Sequence, residues 1–147
     1  MLKRILVPLD GSDFSEAVLP YAEALAQALE AEIILLHVNV EPVTEFESPS
    51  SPFSPPIEVK KAKAEAREYI KSVCYKLEQK GLRATYLIRD GGVAETILDA
   101  AEVLQANMIV MSTHGRTGLL HLLLGSVAEQ VVRRSPILVS LIRPQEK

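Results

Sequence analysis

Four short apolar runs limit most sharply what this chain can fold into. Ile5-Leu6-Val7-Pro8-Leu9, Glu32-Ile33-Ile34-Leu35-Leu36-His37-Val38, Met108-Ile109-Val110-Met111 and Pro136-Ile137-Leu138-Val139-Ser140-Leu141-Ile142 carry few of the alternating polar residues that a sheet with one wet face needs. They suit strands covered on both sides. A fifth run, Leu82 to Ile88, alternates Ala84, Tyr86 and Ile88 against Thr85 and Leu87, which fits a strand at a sheet edge.

Residues at helical spacing fill the intervals. One helix is expected from Asp13 to about Glu30, with Ala17, Tyr21, Ala24, Leu25 and Ala28 inward and Pro20 tolerated or bending it. A longer one turns Val59, Ala62, Ala66, Tyr69, Ile70, Val73 and Leu77 to the core, with Cys74 beside that face, and stops at Gly81. After Asp90-Gly91-Gly92, a third helix buries Val93, Ile97, Ala100, Ala101 and Leu104, and a fourth runs from Ser126 to about Arg134. Strand and helix therefore alternate throughout. The expectation is an open α/β fold, a five-stranded parallel sheet with right-handed crossovers and helices on both faces.

At 147 residues and 48% hydrophobic content, the chain suits one domain, 1–147, with one substantial core. Its net charge of −3 offers no broad basic field, so neither nucleic acid nor a membrane is expected as partner. The single cysteine, Cys74, has no partner for an intrachain disulfide, and no paired Cys/His spacing suggests a metal site. A reducing, cytoplasmic setting is expected. The apolar run behind Lys3-Arg4 meets Pro8 and Asp10 too soon for a signal peptide, and no run approaches the ~20 residues of a membrane span. Residues 41–56, with five prolines at 42, 49, 52, 55 and 56, read as a mobile surface loop.

Chemistry concentrates behind the fourth strand. Met108–Met111 empties into Ser112-Thr113-His114-Gly115-Arg116-Thr117-Gly118, and Gly125-Ser126 opens the next helix. Glycines admit a ligand close to the backbone, and the first amides of a helix lack intrahelical acceptors, so a phosphate suits this layout. The same residues also fit a ligand-free arrangement, with Ser126 and Glu129 as a capping box and the glycines in ordinary turns. In open α/β sheets, ligands collect where strand order reverses. If the first and fourth strands adjoin there, Asp10, Ser112–Gly115 and Gly125-Ser126 share one crevice. The patterns G-x-x-x-x-G-K-[ST], G-x-G-x-x-G and G-x-S-x-G are all absent.

Lys3-Arg4-Ile5-Leu6-Val7-Pro8-Leu9-Asp10-Gly11-Ser12, Leu35-Leu36-His37-Val38, Val110 to Gly118 and Leu124 to Glu129 together resemble the ATP-binding type of the universal stress protein family, over essentially the whole chain. The family's signature is G-x2-G-x9-G-[ST]. Gly115 and Gly125-Ser126 match it at the right spacing, while Ser112 stands where the first glycine belongs. The resemblance implies a Rossmann-like sheet of order 3-2-1-4-5 that binds ATP, with or without Mg2+. Asp10, with Pro8 and Leu9, would hold the ribose and adenine edge, and the Val38 backbone would pair with adenine. Met111, Ser112, His114 and Gly115 would line ribose and phosphates, and Arg116 would offset phosphate charge. Gly125, Ser126, Val127 and Ala128 would offer amides to the phosphate chain. The resemblance also implies a homodimer through the last strand, Pro136–Ile142.

Three functions follow as expectations. An ATP-binding regulatory protein of the stress response leads. A slow ATP-hydrolysing enzyme is disfavoured, since no lysine and no carboxylate pair lie within the motif. A nucleotide-free dimeric adaptor rests on Ser112 alone: a position needing positive φ or close phosphate approach would cost serine roughly 1 kcal/mol. The intact remainder of the motif favours retained binding.

Overall fold

The computed structural model describes residues 3–40, 57–115 and 124–145. The expected loop 41–56 and Arg116 lie outside them. Ten elements follow one another: β1 (Arg4–Pro8), α1 (Asp13–Glu16), α2 (Leu19–Leu29), β2 (Glu32–Asn39), α3 (Ile57–Gln79), β3 (Ala84–Asp90), α4 (Val93–Val103), β4 (Met108–Ser112), α5 (Ser126–Arg134) and β5 (Leu138–Ile142). The five strands form one parallel sheet in the order β3-β2-β1-β4-β5, as expected.

Side-chain alternation along the central strands divides the core in two. Ile5, Val7, Ile33 and Leu35 point to one side and pack on Val18, Ala22 and Ala26 of the first crossover and on Ile70, Val73, Cys74 and Leu77 of α3. Leu6, Ile34 and Leu36 point to the other and meet Ala94, Ile97, Ala100 and Ala101 of α4 and Ala128 and Val131 of α5. Right-handed crossovers give this distribution: β1 to β2 to β3 moves one way across the sheet, and the return to β4 and β5 moves the other. β5 forms the other edge of the sheet. Its residues are all partly or fully exposed, and Leu138 is 56% exposed.

The first helix departs from expectation. Pro20 has no N–H and its ring clashes with the carbonyl four residues earlier, so α1 ends at Glu16 and a separate α2 starts with Pro20 in its first turn. The break turns the helix, placing Ala22 and Ala26 in the core and leaving Tyr21 outside, 52% exposed. In α3, burial begins only at Ile70, and Ala62 is exposed; Cys74 sits within the buried face rather than beside it. Gly81, at φ +84°, ends α3 as expected, with Leu82 N–H returning to Leu77 O at 3.2 Å. β3 lies at the sheet edge but begins and ends two residues later than the alternating run.

The altered α2 face is tested by Ala22→Leu, expected to cost about 1–3 kcal/mol through overpacking. Tyr21→Ala should cost under about 0.5 kcal/mol. Urea midpoints in the opposite order would restore the single-helix arrangement.

Candidate functional site

β1 and β4 adjoin in the middle of the sheet, with Ile5 beside Met108 and Leu6 beside Ile109. The chain leaves β1 for one side of the sheet and enters β4 from the other. Their carboxyl ends therefore open the crevice where ligands collect in such sheets.

Backbone bonds lock the β1 exit. Leu9 N–H donates to Leu36 O at 2.8 Å, and the buried His37 ring places Nδ1 2.9 Å from Leu9 O. Gly11, at φ 88°, turns the chain, and Asp10 Oδ1 accepts the Ser12 amide at 2.8 Å and the Ser12 hydroxyl. Ser12 Oγ in turn accepts the Ser15 amide at 3.1 Å, capping α1. Half of the Asp10 carboxylate is thus occupied in a turn. The other half faces β4: a Cβ on Gly115 would stand 2.8 Å from Asp10 Oδ2. A side chain at 115 would have to displace this carboxylate oxygen.

The β4 exit is equally tied. Ser112 lies inside the strand, and among the described residues the only non-glycine positions with positive φ are Glu30 and Gln105, so serine suffers no backbone strain there. Its hydroxyl donates to His114 O at 2.7 Å and accepts the His114 amide at 3.2 Å. His114 is buried, with Nδ1 2.8 Å from Thr113 Oγ1. Thr113 bonds outward on both sides, its amide to Ile142 O at 3.0 Å and its carbonyl to the Gly125 amide at 2.8 Å. The second bond carries the start of α5 back to the crevice.

The capping box is not formed. Gly125, not Ser126, is the N-cap of α5: its backbone is extended, its amide is held by Thr113 O, and a Cβ there would approach that oxygen to 3.0 Å. Ser126 is the first helical residue and is exposed, while the Glu129 carboxylate pairs with Arg133 at 2.8 Å. Glu129 N–H makes the first intrahelical bond, to Gly125 O, so the amides of Ser126, Val127 and Ala128 precede it and have no intrahelical acceptor.

The expected residues therefore divide. Asp10, Ser112, His114, Gly115 and Gly125 are joined by the contacts just described, with Ser126, Val127 and Ala128 following Gly125 in the first turn of α5. Pro8 ends β1 and Leu9 follows it, Met111 is buried in β4, and Val38 stands on β2, one residue past His37. Tyr69, read only as an inward residue of α3, has a further feature that spacing did not reveal. Its hydroxyl is buried and has no hydrogen-bond partner among the described residues. Burial, then the nearby Glu16, Asp10 and Asp13 carboxylates, push its pKa up. Among the described residues no three His, Cys, Asp or Glu side chains gather to hold a metal, and no helix is long and apolar enough to cross a membrane.

An open, doubly wound parallel sheet with a glycine-built crevice at its strand reversal defines a Rossmann-like α/β protein. The chain belongs to the universal stress protein family, whose model matches residues 1–143. It is 32% identical to Universal stress protein MJ0531 of Methanocaldococcus jannaschii over 148 residues, covering 100% of this chain and 85% of that one. The solved structure of MJ0577, from the same organism, superposes with a TM-score of 0.83 at 33% identity, covering 100% of this chain and 99% of that one. A universal stress protein from Archaeoglobus fulgidus, solved in complex with dAMP, shares the fold at 17% identity and a TM-score of 0.66, with 96% of this chain and 97% of that one covered.

Two outcomes follow. Gly115→Ala should lower stability by about 1–3 kcal/mol, and Asp10→Ala/Gly115→Ala should fall short of the summed single losses; additive losses would show that 10 and 115 do not meet. Burial, then Glu78, push the Cys74 thiol up to about 11. Roughly one molecule in a thousand is then thiolate at pH 8. Iodoacetamide should label Cys74 far more slowly in native than in urea-unfolded protein.

Proposed function

We propose that this chain is a cytoplasmic regulatory protein of the stress response that binds ATP, with or without Mg2+, in the β1/β4 crevice. One observation carries the reading: the Asp10 carboxylate, the Gly115 backbone and the open first turn of α5 meet at the strand reversal. Polyphosphate suits the amides of Ser126, Val127 and Ala128, which lie at the positive end of the helix dipole. Met111, Ser112, His114 and Gly115 line the ribose and phosphates, with Arg116 offsetting charge. Pro8, Leu9 and Asp10 flank the nucleoside, and the Val38 backbone reads adenine. Support also comes from the dAMP complex of the Archaeoglobus protein, since it has the same fold.

Binding rather than turnover is the proposed activity. Asp10 and Asp13 are the acids of the β1 exit, and Asp10 spends one oxygen on Ser12. Hydrolysis, if measured, should be slow. The protein is further proposed to form a homodimer through the strand from Pro136 to Ile142, since β5 is an edge with exposed Leu138.

One observation favours a second reading. The Ser112 hydroxyl folds back on His114 instead of leaving the bare backbone of the signature's glycine, which suits a nucleotide-free dimeric adaptor.

Calorimetric titration of ATP, with and without Mg2+, and mass spectrometry of nucleotides released on denaturation separate the two. The expected result is recovered ATP or ADP, and a Kd raised about tenfold or more by Gly115→Val, with a smaller loss for Ser126→Ala. No nucleotide and no heat would leave the adaptor. Leu138→Asp should convert a dimeric mass to a monomeric one, and a monomeric parent protein would sink the dimer.

A further inference from the structure

A second polar recess lies at the carboxyl ends of β2 and β3, against α3. This cleft of about 430 Å3 is lined by Asn39, Lys63, Ala64, Arg67, Ile88, Arg89 and Asp90. Three of these seven residues are cationic and one is anionic. Asp90 is already satisfied: Asn39 Nδ2 donates to Oδ1 at 3.0 Å and Lys63 Nζ stands 3.4 Å from Oδ2. The Asn39 hydrogen bond first, and Lys63 with it, hold the Asp90 carboxyl below the usual carboxylate range. Lys63 and Asp90 thus cancel.

The two arginines do not. Arg67 makes no hydrogen bond or ion pair among the described residues, and Arg89 gives one Nη1 bond, at 3.0 Å, to Ile88 O. Most of both guanidinium forks remains available, and such forks match phosphate oxygens in pairs. Helical spacing extends the field. Lys60, Lys63, Arg67 and Lys71 follow one another at intervals of three, four and four residues, an arc of about 80° on one side of α3. Glu65 is drawn to Lys61, and Glu68 lines a different cleft, with Lys71 and Tyr75. Apolar surface from Ala64 and Ile88 completes the recess, and its volume suits a small organic molecule.

We propose that this cleft is a binding site for a phosphate monoester of a small organic molecule, with Arg67 and Arg89 clamping the phosphate and Ala64 and Ile88 receiving the organic body. It does not rest on the ATP reading, since none of its residues belongs to the β1/β4 crevice. Charge alone would also suit inorganic phosphate, but the apolar wall favours an ester.

Phenyl phosphate and inorganic phosphate serve as probes, titrated separately into 15N-labelled protein with no nucleotide added, with sodium chloride at matched ionic strength as control. Saturable amide shifts are expected at residues 63–67 and 88–90, with phenyl phosphate the tighter ligand. Arg67→Gln and Arg89→Gln should each raise its Kd about tenfold. Asp90→Asn removes the local negative charge, frees Lys63, and should lower the Kd severalfold, a gain that misfolding does not produce. Shifts that sodium chloride reproduces, equal affinity for the two probes, or a Kd indifferent to both arginine variants would overturn the site. Shifts confined to 112–115 and 124–128 would also overturn it, placing phosphate in the crevice instead.

Discussion

Burial of β1 on both faces is the constraint from which the rest follows. Ile5, Leu6 and Val7 are each fully inaccessible, which demands a layer of helix on either side of the sheet. β1 is also where the connections part: from it the chain crosses to β2 and β3 on one side and returns to β4 and β5 on the other. The return that sets β4 against β1 creates the reversal. The crevice is a consequence of core packing, present before any ligand is considered.

Once the two strand exits are brought together, their backbones and short side chains must share a small space. Asp10 folds over its own turn and pushes one oxygen toward β4, so a side chain at residue 115 would press on that carboxylate. The same holds for 125, pressed against the Thr113 carbonyl, and the bond between that carbonyl and the Gly125 amide fixes where α5 begins. Neither glycine is there for positive φ. Both are there for close approach, and the result is a helix start held open toward the crevice by contacts that ligand does not need to supply.

Strand number and the two-sided core were legible because they depend on residue pattern, continuous runs for the covered strands and alternation for the edge; strand order came from the family resemblance. Helix faces were less so. The Asp13–Glu30 reading counted apolar residues at regular intervals through Pro20, whereas a proline resets the phase, and the buried pair became Ala22 and Ala26. At α3, apolar spacing predicted inward residues from Val59, but burial needs a neighbouring surface, and among the described residues the helix meets the core fully only from Ile70. In the site, glycine spacing pointed to the right segments but not to their geometry. Ser126 and Glu129 have the spacing of a capping box, yet which residue becomes the cap is decided by a contact with Thr113, more than ten positions away. Ser112 is similar: its hydroxyl closes a turn onto His114, a bond that a motif cannot display.

The charge on the chain illustrates the same limit in electrostatics. A net −3 describes the field at distances where all groups are seen together, and salt shortens that range to about 10 Å. Within such a range, what matters is which side of a helix carries which sign. On α3 the basic residues 60, 63, 67 and 71 share one arc while Glu58 and Glu65 fall on another, and β3 adds Arg89 to the basic side. An overall acidic protein therefore presents a locally cationic recess. Total charge argues against broad adhesion to nucleic acid or membrane, but it has no bearing on a single phosphate a few ångströms from two guanidinium groups.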